Sequence, residues 1–204
     1  FENEAEFSIN FLLQGPGITG SQAESQAKAN KLIAIAEQRK DCLAVISPNR
    51  ETVVNVTNAA TQTKNVVQFY DAITSTSFGV FDSGYKYQFD RFNNKFQFMP
   101  LNGDIAGLMA RTSEEQFPWF SPAGPQRGNI LNTVKLAYNP NKVERDTIYV
   151  KRINPVIFQP GGGFLLFGDK TGLAFASAFD RINVRRLFLN LEARIEIAAR
   201  TQLF

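Results

Sequence analysis

Apolar and polar positions in the first 46 residues predict a strand, a helix and a second strand. Residues 7–13 alternate and then run apolar, as in a strand entering a core, and Gly15 follows them. Ser21 and Glu24 have the spacing of a helix N-cap. The apolar run at 42–46 predicts the second strand. This order predicts parallel strands joined by a right-handed crossover. The apolar face of the helix would consist of Ala29, Leu32, Ile33 and Ala36.

The middle of the chain changes from a helical period to a strand period. A helix is predicted over residues 58–74. Alternating aromatic and polar residues at 85–89 and again at 96–98 predict a β-hairpin with an asparagine-rich turn. A short helix is predicted over residues 104–111. Residues 117–125 hold three prolines and three aromatic residues, so we expect an irregular loop there.

A second set of elements follows this loop, which places a domain boundary near residues 124–140. The predicted elements are a strand at 134–138, a helix at 141–151, strands at 155–158 and 164–167, and a long helix from about Asp180 to Arg200. The helix at 141–151 would have Val143, Thr147 and Val150 on one side. The apolar stripe of the long helix would consist of Val184, Leu187, Phe188, Leu191, Ile195 and Ala198.

The residue types that the sequence lacks limit the possible functions more than those that it contains. The 204 residues include no histidine, which removes the commonest general base and metal ligand, and one cysteine, which excludes an internal disulfide. That residue, Cys42, is predicted to be a small core residue. The net charge of +3 is spread along the chain, which argues against nucleic-acid binding. No apolar run is long enough for a membrane span, and the chain opens on Phe1, as expected of a piece of a longer protein.

Residues 163–171 hold the pattern most similar to a binding motif. Gly163, Gly168, Lys170 and Thr171 approximate a phosphate-binding loop, but Asp169 breaks the required spacing and adds a repelling carboxylate. The four residues between the glycines are apolar and predict a strand. The sequence therefore predicts no cofactor, no metal site and no catalytic residue.

Two groups of residues are candidate contacts with a neighbouring subunit. Arg181, Arg185 and Arg186 lie at the start of the long helix, where cations oppose the helix dipole and need anionic partners. Local pairing with Asp180 is one interpretation, and a salt bridge to another subunit is the other. The second group is aromatic, with Trp119 and Phe120 in the irregular loop. Its rings could pack internally or against a partner.

Several sequence strings resemble the tail sheath protein of contractile, myovirus-type bacteriophages. They occur in the order found in that family and cover nearly the whole chain. The strings are DCLAVISPNRETV from Asp41, GYKYQFD from Gly84, DIAGLMART from Asp104, WFSPAG from Trp119, RGNILN from Arg127, INP from Ile153, FGDKT from Phe167 and SAFDRINVRRLF from Ser177.

The resemblance implies a fold of mixed α/β (α+β) class. Residues 1–124 would form the C-terminal portion of a subtilisin-like α/β sheath domain, and residues 125–204 an incomplete tail sheath C-terminal domain. Protease activity is not implied, because a chain without histidine cannot form that catalytic triad.

The resemblance also implies a structural function in the virion tail rather than an enzymatic one. Family subunits assemble in the host cytoplasm as hexameric rings, stacked into a helical sleeve around the tail tube. The sleeve contracts and drives the tube through the host envelope, which promotes genome ejection. The implied partners are other copies, the tube protein, and baseplate and tail terminator proteins, with no nucleic acid and no membrane. N- and C-terminal arms link family subunits by adding strands to a neighbour's sheet, and because this chain lacks both arms we expect it to be monomeric alone.

Three other functions remain open. The chain could belong to the sheath of a phage-tail-like contractile injection system. It could also be a nucleotide-binding α/β enzyme, interpreted from residues 163–171, or a nucleic-acid or adhesion module. Binding of ATP or GTP, or a salt-dependent affinity for DNA, would favour these last classes.

Overall fold

A computed structural model describes residues 7–203 and contains nine strands and five helices of more than three residues in that range. The strands are β1 (Phe11–Leu13), β2 (Leu43–Ile46), β3 (Gly79–Asp82), β4 (Tyr85–Asp90), β5 (Lys95–Pro100), β6 (Lys135–Leu136), β7 (Ile153–Asn154), β8 (Val156–Gln159) and β9 (Gly163–Leu166). The helices are α1 (Gln22–Arg39), α2 (Ala59–Asp71), α3 (Asn102–Glu115), α4 (Lys142–Val150) and α5 (Ile182–Leu203). The mixed α/β class predicted from the sequence is confirmed.

A parallel four-stranded sheet is the centre of the fold. Its strands lie in the order β1-β2-β3-β7, and all three neighbouring pairs are parallel. Helix α1 joins β1 to β2, which confirms the predicted β-α-β unit. Ser21 caps α1 by accepting a hydrogen bond from the backbone N–H of Glu24, as the sequence predicted.

Both faces of this sheet are covered by apolar side chains, as is usual for parallel sheets. One face packs against α1, α2 and α4 through a cluster that includes Ile33, Phe69, Tyr70, Phe81 and Ile148. The other face packs against α3 and the β8–β9 hairpin through a cluster that includes Val45, Val80, Ile105, Met109 and Leu166. The side chains of β2 are completely buried because they contribute to both clusters.

The predicted aromatic hairpin is also confirmed. Strands β4 and β5 pair antiparallel, with Phe89 opposite Phe96, and β6 pairs with the other edge of β4. Asn94 adopts a left-handed backbone conformation, with φ of 50°, in the turn. The asparagine-rich sequence therefore forms the tight turn that was expected of it.

The glycine triplet at residues 161–163 makes the turn between β8 and β9. Gly161 and Gly163 have φ values of 79° and 77°, which residues with a side chain rarely adopt. The strand β9 occupies the apolar part of the phosphate-loop-like motif, as predicted. Strand β7, which follows the irregular loop in sequence, pairs with β3, which precedes it. The domain boundary at residue 124 stays a prediction.

Three sequence predictions require correction. The first strand begins at Phe11, so residues 7–10 are not part of it. The exposed side of α4 holds Val143 and Val150, which are 74% and 77% exposed, whereas Ile148 is completely buried. In a helix of nine residues, the apolar positions are compatible with more than one buried face. Helix α4 packs against α2, and the face that it buries is the one that carries Ile148.

The third correction concerns the start of the last helix. Residues Ala178–Asp180 form a short 3-10 helix, in which the N–H of Phe179 donates to the Ser177 side chain, and α5 begins at Ile182. From Leu191 to Gln202 every residue of α5 is exposed, including the predicted stripe residues Leu191 and Ile195. The second half of the predicted stripe is therefore not covered by the described part of the chain.

Candidate functional site

The three arginines at the start of α5 have three different environments. Arg181 is the most exposed, and its Nη1 lies 2.6 Å from Oδ1 of Asp169. Its Nε lies 3.7 Å from Asp180, which is the local pairing considered from the sequence. The Asp169 carboxylate is the main reason that the pKa of Arg181 is raised above its usual value.

Arg185 is held by aromatic rings. Its guanidinium lies 4.0 Å from the ring centroid of Phe179 and 4.3 Å from that of Phe78, which are cation–π distances. It donates a hydrogen bond to Ser77 Oγ, and its buried Nε has no partner among residues 7–203. Burial lowers the pKa of Arg185. This side chain ties α5 to the segment before β3.

Arg186 is a buried cation without a carboxylate partner in the described range. It is 6% exposed and donates a hydrogen bond to Ser113 Oγ near the end of α3, while its Nη1 atom is buried and unpartnered. Burial lowers the pKa of Arg186 to about 10. A buried charge costs free energy unless it is paired. Arg186 is therefore the arginine of this cluster that most needs an anion.

The aromatic loop packs mainly on itself. The rings of Phe117 and Trp119 are stacked with centroids 4.7 Å apart, and the Phe120 ring lies 6.2 Å from that of Phe117. The guanidinium of Arg127 lies 5.4 Å from the Phe120 ring, and its Nε donates to the carbonyl of Ser121 over 2.6 Å. The three rings remain 37–52% exposed, so a stacked aromatic surface stays open to contact.

Asp169 connects the two candidate groups. Its Oδ1 pairs with Arg181, and its Oδ2 accepts a hydrogen bond from Ser121 Oγ over 3.0 Å. The sequence reasoning considered Asp169 only as a residue that breaks a phosphate-loop pattern. Its position between a serine of the aromatic loop and an arginine of α5 required the folded structure. We call residues 117–121, Asp169 and Arg181 the loop–helix surface.

The other residues of the phosphate-loop-like motif are occupied by internal contacts. The Lys170 ammonium donates to the carbonyl oxygen of Tyr149 over 3.0 Å and lies 4.1 Å from the centre of its ring. Thr171 is completely buried and donates to the carbonyl of Phe179. These contacts leave neither side chain directed at a phosphate.

The carboxyl ends of β2 and β3 are filled by a polar network. In open α/β sheets this edge is where ligands usually bind. Here Ser47 Oγ donates to Asp82 Oδ2 over 2.6 Å and accepts from the backbone N–H of Asn102, at the start of α3, over 3.0 Å. The N–H of Gly84 donates to Asp82 Oδ1 over 2.9 Å. Burial raises the pKa of Asp82 well above its usual range. These side chains are completely buried and join strands to α3 rather than facing a ligand.

Cys42 is completely buried, as expected, and burial raises the pKa of its thiol to about 12. Within residues 7–203, no cluster of three or more acidic, histidine or cysteine side chains has the arrangement of a metal site. The helices in that range are all too short or too polar to cross a membrane.

The family model for the phage tail sheath protein central domain matches residues 13–172. The chain belongs to the phage tail sheath family. The match covers most of the chain and includes β2, β3 and β7 of the central sheet and Asp169, whereas Arg181, Arg185 and Arg186 lie beyond it. The resemblance drawn from the sequence strings is thereby confirmed.

Curated relatives of this family member are tail sheath proteins of phages. The chain is 38% identical to the tail sheath protein of Enterobacteria phage T4 over its full length, and covers 32% of that protein. It is 41% identical to the tail sheath protein of Vibrio phage KVP40 over 84% of its length, and covers 27% of that protein. The chain thus spans about a third or less of these relatives.

Solved structures of contractile particles share the fold. A chain in the baseplate of the anti-feeding prophage aligns with 98% of the present chain, with a TM-score of 0.72 and 17% sequence identity. The aligned part makes up 48% of that baseplate chain. A chain of the helical sheath of the same particle, in the contracted state, also aligns with 98% of the present chain, with a TM-score of 0.71 and 18% sequence identity. The aligned part makes up 49% of that sheath chain. At these identities the likeness concerns the fold alone.

Proposed function

We propose that this chain is part of a structural subunit that polymerises as a helical sleeve around a phage tail tube. The sleeve contracts and drives the tube through the host envelope. The family match over residues 13–172 carries this proposal. The subunit would assemble as stacked hexameric rings in the host cytoplasm and become part of the virion tail. Its partners would be other copies, the tube protein, and the baseplate and tail terminator proteins.

A phage sheath is favoured over the sheath of an injection system. The curated relatives at 35–41% identity are phage tail sheath proteins, whereas the structures from injection particles are only 16–18% identical. Sequence identity above 30% indicates a closer relationship between two proteins than a shared fold does. The difference in identity therefore favours the phage assignment.

The loop–helix surface is the part of the chain that we propose for contact with a neighbouring copy. Trp119 and Phe120 would supply rigid apolar area, and Arg181 would supply an exposed cation beside them. Interfaces concentrate their binding energy in aromatic and arginine residues of this kind. Arg185 and Arg186 would hold α5 in position. Arg186 would also pair with a carboxylate supplied by the assembled sleeve.

The absence of enzymatic activity is part of the same proposal. Contraction would draw its free energy from improved packing between rigid subunits, so nucleotide hydrolysis is not required. The internal contacts of Lys170 and Thr171 support this. We expect no saturable binding of ATP or GTP by calorimetry, and a stoichiometric binding signal would instead favour an enzyme.

Electron microscopy of the complete protein tests the structural function. Expressed alone, the complete protein should form rings or tubes, and substitution of both Trp119→Ser and Phe120→Ser should shorten or abolish them. Phe92→Ser, at a residue that is 87% exposed in the β4–β5 turn, is a matched control because it also removes an exposed ring. Dispersed protein under all salt conditions tried, or equal loss in both variants, would contradict the proposal.

A further inference from the structure

One edge of the central sheet is open. Strand β1 is the terminal strand on one side of the order β1-β2-β3-β7. At the opposite side, β7 continues through Pro155 directly into β8, which pairs with β9. Within residues 7–203, β1 has a neighbouring strand only on the side of β2.

The backbone groups on the open edge can be assigned to residues. The carbonyl of Asn10 accepts from the N–H of Leu43 over 3.1 Å, and the N–H of Gln14 donates to the carbonyl of Val45 over 3.1 Å. In a strand, successive residues direct these groups to opposite sides. Since Asn10 and Gln14 face β2, the backbone groups of Phe11 and Leu13 face outward. Within residues 7–203 no hydrogen-bond partner satisfies them.

The side chains at this edge are also suited to a covered position. Leu13 is 47% exposed although it belongs to the central sheet of the fold. An edge with unpaired N–H and C=O groups and an apolar side chain binds further strands, and natural proteins usually protect such edges with charges, bulges or prolines. Strand β1 carries none of these, because its sequence is Phe-Leu-Leu. We infer that the edge is covered in the complete protein.

The topology identifies the segment that would cover it. Helices α1 and α2 lie on the same face, and the sheet grows in one direction from β1 through β2 to β3. Right-handed crossovers add each new parallel strand in this way. The place beside β3 is taken by β7. A strand–helix unit that precedes β1 in the chain would continue the same direction of growth by entering this sheet at the free edge of β1.

We propose that a strand of the same polypeptide, upstream of this chain in the complete protein, pairs in parallel with β1 through the backbone of Phe11 and Leu13. This proposal rests on the proposed function, because a complete sheath subunit of the relatives' length has a segment available: this chain covers only 27–32% of two of them. The pairing would bury Leu13 and extend the central sheet to five strands.

Hydrogen exchange of the complete protein, resolved to single residues by mass spectrometry, tests this pairing. The sample should be dispersed subunits, held below the concentration at which they polymerise. We expect exchange at the Phe11 and Leu13 amides to be slowed at least about 100-fold relative to an unstructured peptide. The matched internal controls are the amides of Leu12 and Gln14, which face β2 and should be protected in every folded sample.

The outcomes separate the possible occupants. Protection of Phe11 and Leu13 in dispersed subunits supports the proposal. Protection that appears only in assembled tubes would show that a second copy pairs with β1, which overturns it. Fast exchange in both samples, with Leu12 and Gln14 protected, also overturns it. Because the decisive sample is dispersed, a failure to form contractile tubes would contradict the proposed function without affecting this result.

Discussion

Asp82 is a buried carboxyl group whose ionisation is expected to affect folding. The carboxyl is completely buried, and burial raises its pKa well above the usual range. Between the unfolded and folded pKa values, the folded state holds a proton that the unfolded state has released. Stability is therefore complete below the unfolded pKa and decreases as pH rises through the folded one.

Substitution Asp82→Asn should remove this pH dependence. We expect the free energy of unfolding of the original protein to fall as pH rises above the unfolded-state pKa of an aspartate, by up to about 1.4 kcal/mol per pH unit. The Asn variant should show a flatter profile over the same range. Urea unfolding at several pH values measures both. Asp146→Asn, at an exposed position of α4, is the control, and its profile should follow that of the original protein. Parallel profiles for Asp82→Asn would contradict the prediction.

A second prediction at the residue scale concerns the substitution of Arg186. Because its buried guanidinium has no carboxylate within the described part of the chain, Arg186→Met should leave subunit stability unchanged or increase it by about 1 kcal/mol. The same variant should assemble into tubes less well if the sleeve supplies the missing carboxylate. Thermal unfolding and electron microscopy test the two parts. For thermal unfolding only, Arg181→Met is the control, since an exposed ion pair contributes less than about 1 kcal/mol. A loss of several kcal/mol at Arg186 would show that the cation is already satisfied.

At the scale of elements, α4 shows how packing selects a helix face. The cap of α4 is encoded locally: Asn141 and Glu144 bond reciprocally to each other's backbone N–H groups. The buried face is not encoded so clearly, because Val143, Thr147 and Val150 share the spacing of an apolar stripe. Packing against α2 and β7 buries Ile148 instead.

Alanine substitutions in α4 should reflect this choice of face. Ile148→Ala is expected to lower the free energy of unfolding by about 2–5 kcal/mol, because it leaves a cavity in a fully buried site. Val143→Ala, on the exposed face of the same helix, should change it by less than about 0.5 kcal/mol. Chemical denaturation of both variants provides the comparison. Equal losses would mean that the face predicted from the sequence is buried in solution.

Helix α5 packs on the core through Ile182 and Leu189, which are not residues of the predicted stripe, and the second half of that stripe is exposed. Leu191 and Ile195 are 41% and 65% exposed. The stripe is typical of a helix that packs against something. The chain spans about a third of its curated relatives, so the covering element is expected elsewhere in the complete sleeve.

At the scale of the whole molecule, local signals predicted the elements and left their connections open. The Asn-rich turn of the β4–β5 hairpin and the cap at Ser21 are encoded within a few residues, so they could be recognised. The pairing of β3 with β7 joins Phe81 to Ile153, and no local pattern indicates such a contact. The link from Ser121 through Asp169 to Arg181 likewise depends on loops brought together by folding.

The pairing of β3 with β7 also determines when this fold can be completed during synthesis. Local structures such as the β4–β5 hairpin form on the microsecond scale, whereas contacts between distant residues fold slowly. The fourth strand of the sheet is not available until Asn154 has emerged from the ribosome. Until then the apolar cluster around Phe81 lacks Ile148 and Ile153. A nascent chain paused before this point would expose that cluster to other nascent copies.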